Sequence, residues 1–295
     1  MIKSIEEYLD QLRQELKDGD PATVQDALSD AEEHLRVAFA TLKQDQPHMS
    51  DEEALNQIVD QYGDPPETAS AYMEVERRTI PQLVRENPRP QSLLRRFFGI
   101  YADARAWGAL LYMLIAFVTG VFYFSWAVTG LATSVSFALF IFGLPFALLF
   151  FLSVRGLALL EGRIVEALLG IRMPRRPLFT QQNLKWLDRL KELATDKHTW
   201  FSISYMFIQF VLGILYFTLF TTILSLSLAF IAIPFLQELV GLAPITMGNV
   251  RYYYPTWSYP LLVLGGIFLW TLFMNIARGV GQLHGRMAKA MLVTE

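Results

Sequence analysis

Side chains able to do acid–base, nucleophilic or metal chemistry are few and scattered in this sequence. The chain has no cysteine, and neither a glycine-rich phosphate loop nor a serine elbow occurs. Its histidines lie in four separate elements without the spacing of metal ligands: His34, His48, His198 and His284. We therefore expect no enzyme activity, no cofactor and no metal site.

The charges divide the chain into an acidic head and a basic, apolar body. Residues 1–76 carry 5 Lys and Arg against 19 Asp and Glu, residues 77–295 carry 20 against 9, and 53% of the chain is apolar. That apolar fraction is high for a soluble protein. The first residues are acidic where a secretory signal would need a basic segment and an apolar run. We therefore expect the N-terminus to stay in the cytoplasm.

Long uncharged runs in the body predict a membrane domain. Ala106 to Val154 is 49 residues without a charged side chain, more than twice what one crossing needs. We expect two spans there, 107–128 and 134–153, with a break near Gly130 to Ser134. Two further uncharged runs, 198–237 and 252–277, are each long enough for another crossing. Lys and Arg flank the spans on one side, which predicts four crossings of the plasma membrane with both termini cytoplasmic.

An internal repeat organises the body. Nine residues recur with a shift of 93 positions: Trp107, Tyr112, Met113, Ile115, Phe117, Val118, Gly120, Tyr123 and Phe124 correspond to Trp200, Tyr205, Met206, Ile208, Phe210, Val211, Gly213, Tyr216 and Phe217. Further along, the segments beginning at Arg155-Gly156 and Arg278-Gly279 correspond with a shift of 123. We predict two parallel repeats, 92–171 and 185–294, each with an interfacial helix, two spans and an amphipathic helix.

The change of shift places an insertion of 30 residues in the second repeat, on the predicted outer side. It is rich in tyrosine and proline and runs roughly from Gln237 to Pro260. Residues 222–237, just before it, read as an interfacial or re-entrant segment. The alternative, that they form a full crossing, remains open at this point.

The head reads as a helical module over residues 1–80. Asp20-Pro21 predicts a helix start with proline at its first position, and Ser50 with Glu53 predicts a capping box. Residues 81–91 contain three prolines and read as a linker to the membrane domain, 92–295. The fold class is thus all-α, a small cytoplasmic helical domain followed by a polytopic α-helical membrane domain with four spans.

Both parts resemble known families. The head resembles the bacterial HAAS domain, a helical module found beside signalling and membrane domains, through Tyr8-Leu-x2-Leu12, Glu32-Glu33-His34-Leu35, Glu52-Glu53-Ala54 and Tyr62-Gly63-Asp64-Pro65. The body resembles the prokaryotic "putative sensor" membrane domain through Tyr123-Phe124, Gly143-Leu144-Pro145 and the helix from Arg155-Gly156 to Arg163. The resemblance implies a sensor and no known ligand. In that family the domain often precedes a histidine kinase, and no kinase follows here.

Three groups of residues are candidates for function. Those expected to dock a partner are Glu32, Glu33, His34, Gly63, Asp64 and Pro65. Those in the outer insertion, which are either an aromatic belt at the interface or a sensing surface, are Glu238, Arg251, Tyr252, Tyr253, Tyr254 and Trp257. Those expected to couple the spans to the head are Arg155, Gly156, Arg163, Arg278, Gly279 and Arg286.

Polar groups inside the predicted spans are sparse. The spans contain no ionisable residue, which argues against ion-coupled transport, and Gln209 is the best polar candidate, read first as a hydrogen bond to a neighbouring helix. His284 stands at the position that corresponds to Glu161 in the other repeat. This difference indicates that neither is required for chemistry.

The sequence therefore favours a non-enzymatic bacterial membrane sensor that relays an envelope or bilayer signal to a cytoplasmic partner. The alternative is an accessory subunit of a membrane transporter, or a small pore or scaffold. The expected partners are the lipid bilayer, a cytoplasmic protein and, for the scaffold reading, further copies of the chain in a homo-oligomer. Nucleic acid is not expected, because positive charge beside spans primarily indicates membrane orientation and attraction to anionic lipids.

Overall fold

A computed structural model of the chain describes residues 2–79, 92–137, 143–175, 186–241, 243–247 and 250–293. Apart from one short hairpin, the regular structure in these ranges is helical. The predicted all-α class is therefore confirmed. The predicted linker, 81–91, lies outside the described residues.

The head is a module of four helices, α1 (Ile5–Glu15), α2 (Pro21–Asp45), α3 (Asp51–Tyr62) and α4 (Pro65–Thr79). Their starts follow local capping chemistry. Asp20 accepts a hydrogen bond from the backbone N–H of Ala22 at the start of α2, and Ser50 with Glu53 forms the predicted capping box on α3. Apolar faces of the helices meet in one core, whose fully buried members include Tyr8, Leu12 and Leu35.

In the described ranges of the body there are six α-helices: α5 (Leu93–Phe98), α6 (Ala104–Phe137), α7 (Gly143–Leu169), α8 (Trp186–Thr195), α9 (Lys197–Val240) and α10 (Tyr259–Leu292). In the described part of the chain four of them, α6, α7, α9 and α10, are long and apolar enough to cross a membrane. This count confirms the predicted number of spans. A β-hairpin, β1 (Ile245–Met247) with β2 (Val250–Tyr252), lies between α9 and α10.

Two predicted boundaries in the first repeat are wrong. The break expected near Gly130 to Ser134 lies within α6, which continues to Phe137. A Cβ on Gly130 would stand 2.1 Å from the ring of Phe150, so this glycine serves close helix packing instead of ending a helix. The return span and the amphipathic helix, predicted as two elements, form the single helix α7.

The interfacial or re-entrant reading of residues 222–237 is also wrong. These residues continue α9, which has 44 residues and is therefore about 66 Å long. Pro234 lies inside the helix without ending it. The helix stops at Gly241, whose left-handed backbone (φ 64°) forms the C-cap.

The two repeats contact each other reciprocally. A Cβ on Gly120 of α6 would meet the backbone oxygen of Gln209 on α9 at 2.7 Å, and a Cβ on Gly213 of α9 would meet that of Ala116 on α6 at 2.4 Å. At a shift of 93, Gly120 corresponds to Gly213 and Ala116 to Gln209, so each contact mirrors the other. A two-fold axis between the repeats would produce such matching contacts whether it runs along the bilayer normal or in the bilayer plane. The contacts therefore do not test whether the repeats run in the same direction, and that stays a prediction.

Candidate functional site in the core between the repeats

Seven polar side chains meet in the interior of the membrane domain, and we call them the core cluster. They come from α6, α7, α9 and α10: Tyr112, Tyr123, Glu161, Tyr205, Gln209, Tyr216 and His284. All seven are buried, with Glu161 1% and His284 2% exposed. A buried acid and a buried base therefore lie together in the interior of four long helices.

Helical spacing turns the acid and the base inward. On α7, Glu161 lies on one face with Val154, Ala158 and Val165, all of them buried. On α10, the matching face holds Ala277, Gly281, His284, Ala288 and Leu292. Small residues on that face let α10 approach closely, since a Cβ on Gly281 would lie 2.9 Å from the Cβ of Ala109.

Four donors surround the carboxyl group of Glu161. The Tyr112 hydroxyl lies 2.6 Å and the Tyr205 hydroxyl 3.1 Å from Oε1, and the Tyr123 hydroxyl lies 3.1 Å from Oε2. The side-chain amide of Gln209 is 3.2 Å from Oε1. A carboxylate has about four lone-pair positions for hydrogen bonds. Both oxygens of the buried Glu161 carboxyl group therefore have hydrogen-bond partners.

The imidazole of His284 is bonded at both nitrogens. Its Nε2 lies 2.7 Å from the Tyr112 hydroxyl and 3.0 Å from the Tyr205 hydroxyl. Its Nδ1 lies 3.1 Å from the Tyr216 hydroxyl. Glu161 and His284 thus share hydroxyl partners, and Tyr112 stands directly between them.

The core cluster carries the repeat symmetry in its residue types, with two differences: the pair Glu161 and His284, and Gln209, which corresponds to Ala116. Tyr112 corresponds to Tyr205 and Tyr123 to Tyr216 at a shift of 93. Glu161 corresponds to His284 at a shift of 123. The tyrosines are the same in both repeats, whereas the central titratable group is an acid in one and a base in the other. This is the arrangement that a proton donor and acceptor pair requires.

The prediction that the spans contain no ionisable residue is wrong. It failed because α7 continues past Val154, so Glu161, seven residues beyond the uncharged run, lies inside a span helix. The sequence did contain a signal for this pair, because Glu161 and His284 stand at corresponding positions of the two repeats. Corresponding residues close to a two-fold axis face each other. Gln209, by contrast, forms the interhelix hydrogen bonds expected of it.

Reciprocal ion pairs join the repeats near the starts of α6 and α9. Arg155 of the first repeat lies 2.9 Å from Asp196 of the second, and Arg278 of the second lies 2.8 Å from Asp103 of the first. Burial alone would raise the pKa of Asp196, but hydrogen bonds from Arg155, Thr199 and the backbone of His198 outweigh it and hold that pKa below its usual value.

Other coupling candidates differ from expectation. A Cβ on Gly156 or on Gly279 would meet nothing within 4 Å, so no other helix approaches closely at these two glycines. Arg163 pairs with Glu166 at 3.5 Å, and Arg286 is exposed. The close approaches in this part of α10 occur instead at Gly281 and Gly285.

The head is held by α10 and by the segment that directly follows α7. Asp26 on α2 accepts a hydrogen bond of 2.9 Å from Arg172 and one of 2.7 Å from the backbone N–H of Arg175, in the segment that follows α7. Asp20, at the start of α2, forms an ion pair with Lys289 on α10. Sequence reasoning did not find these contacts, which join residues 146 and 269 positions apart.

The predicted docking residues of the head divide between surface and packing roles. His34 stacks on Tyr62 with ring centroids 4.6 Å apart, which brings it beside Gly63. The carbonyl of Gly63 accepts a hydrogen bond of 2.8 Å from the Tyr8 hydroxyl, and Glu32 pairs with Arg36 at 2.9 Å. Pro65 is buried, whereas Glu33 and Asp64 are exposed. Among the predicted docking residues, Glu33, His34 and Asp64 are thus the exposed ones.

The outer insertion forms the turn between α9 and α10. Gln237 fastens it, because its side chain bonds both the N–H and the carbonyl of Tyr254. Glu238 lies near the Tyr259 hydroxyl, at 3.5 Å. Arg251 lies on β2. The large exposed aromatic side chains of this turn are Tyr252, Tyr253 and Trp257.

Residues 112–292, more than half of the chain, match the sequence model of a protein family described as "Putative sensor". That range begins at the first tyrosine of the core cluster and includes every other member of it. Comparisons with curated proteins and with solved structures find no match. The family match does not reach the head, so the resemblance of residues 1–80 to the HAAS domain stays a prediction.

Proposed function

Since the chain belongs to the "Putative sensor" family, we propose that it is a non-enzymatic sensor of the bacterial inner membrane. In this proposal it relays a signal from the envelope or the bilayer to a cytoplasmic protein that binds its head. The core cluster is the element that the signal changes. The head, with its exposed acidic residues and its likeness to a signalling-associated module, is the output.

One observation carries the proposal: the helices that meet at the core cluster also hold the head. Glu161 lies on α7, and the segment directly after α7 binds Asp26 through Arg172 and Arg175. His284 lies on α10, five residues before Lys289, which binds Asp20. Both attachments of the head therefore lie within a few helical turns of the core cluster.

The geometry of α2 makes the attachments sensitive to the spacing of α7 and α10. Asp20 and Asp26 stand six residues apart, joined by the first turns of a rigid helix. If α7 and α10 shift relative to each other, the two ion-pair sites of α2 no longer match. One of them then breaks, and the head tilts or leaves the body. A small change in the core is in this way turned into exposure of a head surface.

The second candidate, a transport component, has one observation in its favour, because ionisable residues within spans often mark proton or ion pathways. The hydrogen bonds of the core cluster argue for a sensor instead. They run from Tyr123 through Glu161, Tyr112 and His284 to Tyr216, and both terminal tyrosines are buried. Such a chain holds a proton between the repeats and does not lead it across them.

Hydrogen exchange of the full protein in lipid discs tests the relay. Tyr112→Phe removes one hydroxyl from the core cluster and keeps the ring. We expect faster amide exchange in α2 around Asp26, because the core and the head contacts are coupled. The matched control is Tyr101→Phe, which removes a hydroxyl that bonds Thr271 at 2.7 Å outside the core cluster, and it should leave α2 as in the wild type.

Unchanged exchange of α2 in Tyr112→Phe, with altered exchange confined to the membrane helices, would refute the relay. A proton flux measured with a pH-sensitive dye in vesicles tests the transport alternative. The proposal expects no flux above that of empty vesicles, and a flux that Tyr112→Phe abolishes would favour transport.

A further inference from the structure

The core cluster places one hydroxyl between an acid and a base, and hydrogen counting shows what this allows. The Tyr112 hydroxyl has a single proton, yet it lies 2.6 Å from Glu161 Oε1 and 2.7 Å from His284 Nε2. It can donate to only one of them at a time. The Tyr205 hydroxyl lies 3.0 Å from the same Nε2 and can donate there. The contact of Tyr112 with its second partner is therefore a hydrogen bond only when that partner carries a proton that points at Tyr112.

The same heavy-atom positions satisfy two placements of that proton. In the first, Glu161 is protonated and donates to Tyr112, Tyr112 donates to Nε2, and the Nδ1–H of neutral His284 donates to Tyr216. In the second, Tyr112 donates to ionised Glu161 and both N–H groups of the imidazolium donate, to Tyr112 and Tyr216. In passing from the first to the second, the O–H bond of Glu161 breaks as the Tyr112 proton forms the Nε2–H bond. Tyr112 regains a proton from Glu161, and no electrons are transferred.

We propose that the core cluster is a proton-binding site in which Glu161 and His284 take up and share a proton through Tyr112. This inference deepens the proposed function, because it names the proton as the ligand of the core cluster. It rests on the proposed function only for the effect that the proton has on the head. With the proton on His284, the ion pair attracts α7 to α10. When the proton leaves the site, Glu161 and neutral His284 no longer attract each other as charges, and the two helices are free to separate.

The titratable groups that face the site come from all four helices. They are Tyr112 and Tyr123 on α6, Glu161 on α7, Tyr205 and Tyr216 on α9, and His284 on α10. The amide of Gln209 completes the set. Among the described residues that hydrogen-bond within the site, Glu161 and His284 alone have ordinary titration ranges below that of tyrosine. The proton balance therefore rests on these two.

Solid-state NMR of the full protein, labelled with ¹⁵N in its imidazole rings and placed in lipid vesicles, tests the proposal. The spectrum of His284→Asn identifies the signals of His284. If that variant does not fold, replacing His34, His48 and His198 leaves His284 as the remaining histidine. We expect the His284 signals to titrate in wild-type protein between about pH 5 and pH 8. In Glu161→Gln the midpoint should fall by about one pH unit or more, because the negative charge that favours imidazolium is gone.

Glu238→Gln is the matched control, since Glu238 lies at the outer turn, and it should leave the midpoint unchanged. A His284 that keeps one protonation state over the whole range would overturn the proposal. An equal midpoint in wild type and Glu161→Gln would overturn it too. If His284 titrates but amide exchange in the head does not change, the proton site stands and the relay is refuted. If amide exchange in the head responds to changes in the core cluster but His284 does not titrate, the relay stands and the proton site is refuted.

Discussion

Arg155 in the first repeat is paired with Asp196 in the second, and the corresponding Arg278 is paired with Asp103 in the first. The distances are 2.9 and 2.8 Å. Each aspartate also accepts backbone hydrogen bonds at the start of a span helix, Asp196 from His198 and Asp103 from Arg105. An aspartate in each repeat thus caps its own span helix and binds the arginine of the other repeat. The interface between the repeats is fastened at two corresponding points.

Replacing Asp196 with Asn should cost about 0.5–1 kcal/mol of stability, because Asn still caps α9 while a partly exposed ion pair is lost. Asp103→Asn should cost about the same. Burial alone would raise the pKa of Asp196, but hydrogen bonds from Arg155 and Thr199 hold that pKa below its usual value. The stabilisation is therefore present above the usual aspartate pKa and is lost as the pH falls through the folded pKa. Thermal unfolding in detergent between neutral and acid pH measures this. An Asn variant that loses as much stability in acid as the wild type would contradict it.

Glycines in the body should divide into two classes when changed to alanine. Gly120→Ala and Gly213→Ala would place a methyl group 2.7 and 2.4 Å from a backbone oxygen of the other helix, so each should cost about 1–3 kcal/mol through forced separation. Gly156→Ala and Gly279→Ala meet nothing within 4 Å and should be neutral or gain up to about 1 kcal/mol. Melting temperatures of the four variants provide the comparison. A penalty at Gly156 equal to that at Gly120 would be inconsistent with the packing.

Tyr8 joins α1 to the turn between α3 and α4 in the head. Its hydroxyl lies 2.8 Å from the Gly63 carbonyl and 3.0 Å from the Thr68 hydroxyl. Tyr8→Phe should therefore lower the free energy of unfolding by about 1–2 kcal/mol, because buried polar partners lose their hydrogen bond. Tyr253→Phe, on the exposed outer turn, is the control and should have no effect. Urea unfolding of the full protein measures both, and equal midpoints would contradict the assignment.

The predicted topology is open to cysteine labelling, since the chain has no native cysteine. Single cysteines at Gln57 in the head and at position 294 should react with an impermeant maleimide only from the cytoplasmic side. A cysteine at Thr256, which is exposed in the outer turn, should react only from outside. Labelling of position 294 from outside would show that the number or direction of the crossings is different, and would remove the parallel arrangement of the repeats.

The head could be predicted well because its signals are local. Asp20-Pro21 and the pair Ser50 and Glu53 mark helix starts through hydrogen bonds within a few residues, and such chemistry is visible in the sequence. The number of spans followed for a similar reason, since uncharged length is a local property. The ends of the helices did not follow, because a helix can continue past the end of an uncharged run, as α7 does beyond Val154.

The core cluster required three-dimensional information. Glu161 stands between Glu166 and Arg155 in a segment that reads as an amphipathic surface helix, and the inward direction of its side chain depends on packing against α6 and α9. The repeat comparison paired Glu161 with His284 but did not place them 2.6 and 2.7 Å from the same hydroxyl. The contacts of Asp26 and Asp20 with the body were hidden for the same reason, because long-range ion pairs leave no periodic pattern.

The coupling between the core cluster and the head is the central claim, and a distance measurement tests it most directly. Spin labels on cysteines at Gln57 and Lys197, both exposed, report the position of the head relative to α9 by pulsed electron resonance in lipid discs. We expect Glu161→Gln to change the distance distribution, because the electrostatic attraction between Glu161 on α7 and His284 on α10 is lost. Glu238→Gln should give the wild-type distribution. Identical distributions for all three proteins, with Glu161→Gln properly folded, would contradict the account.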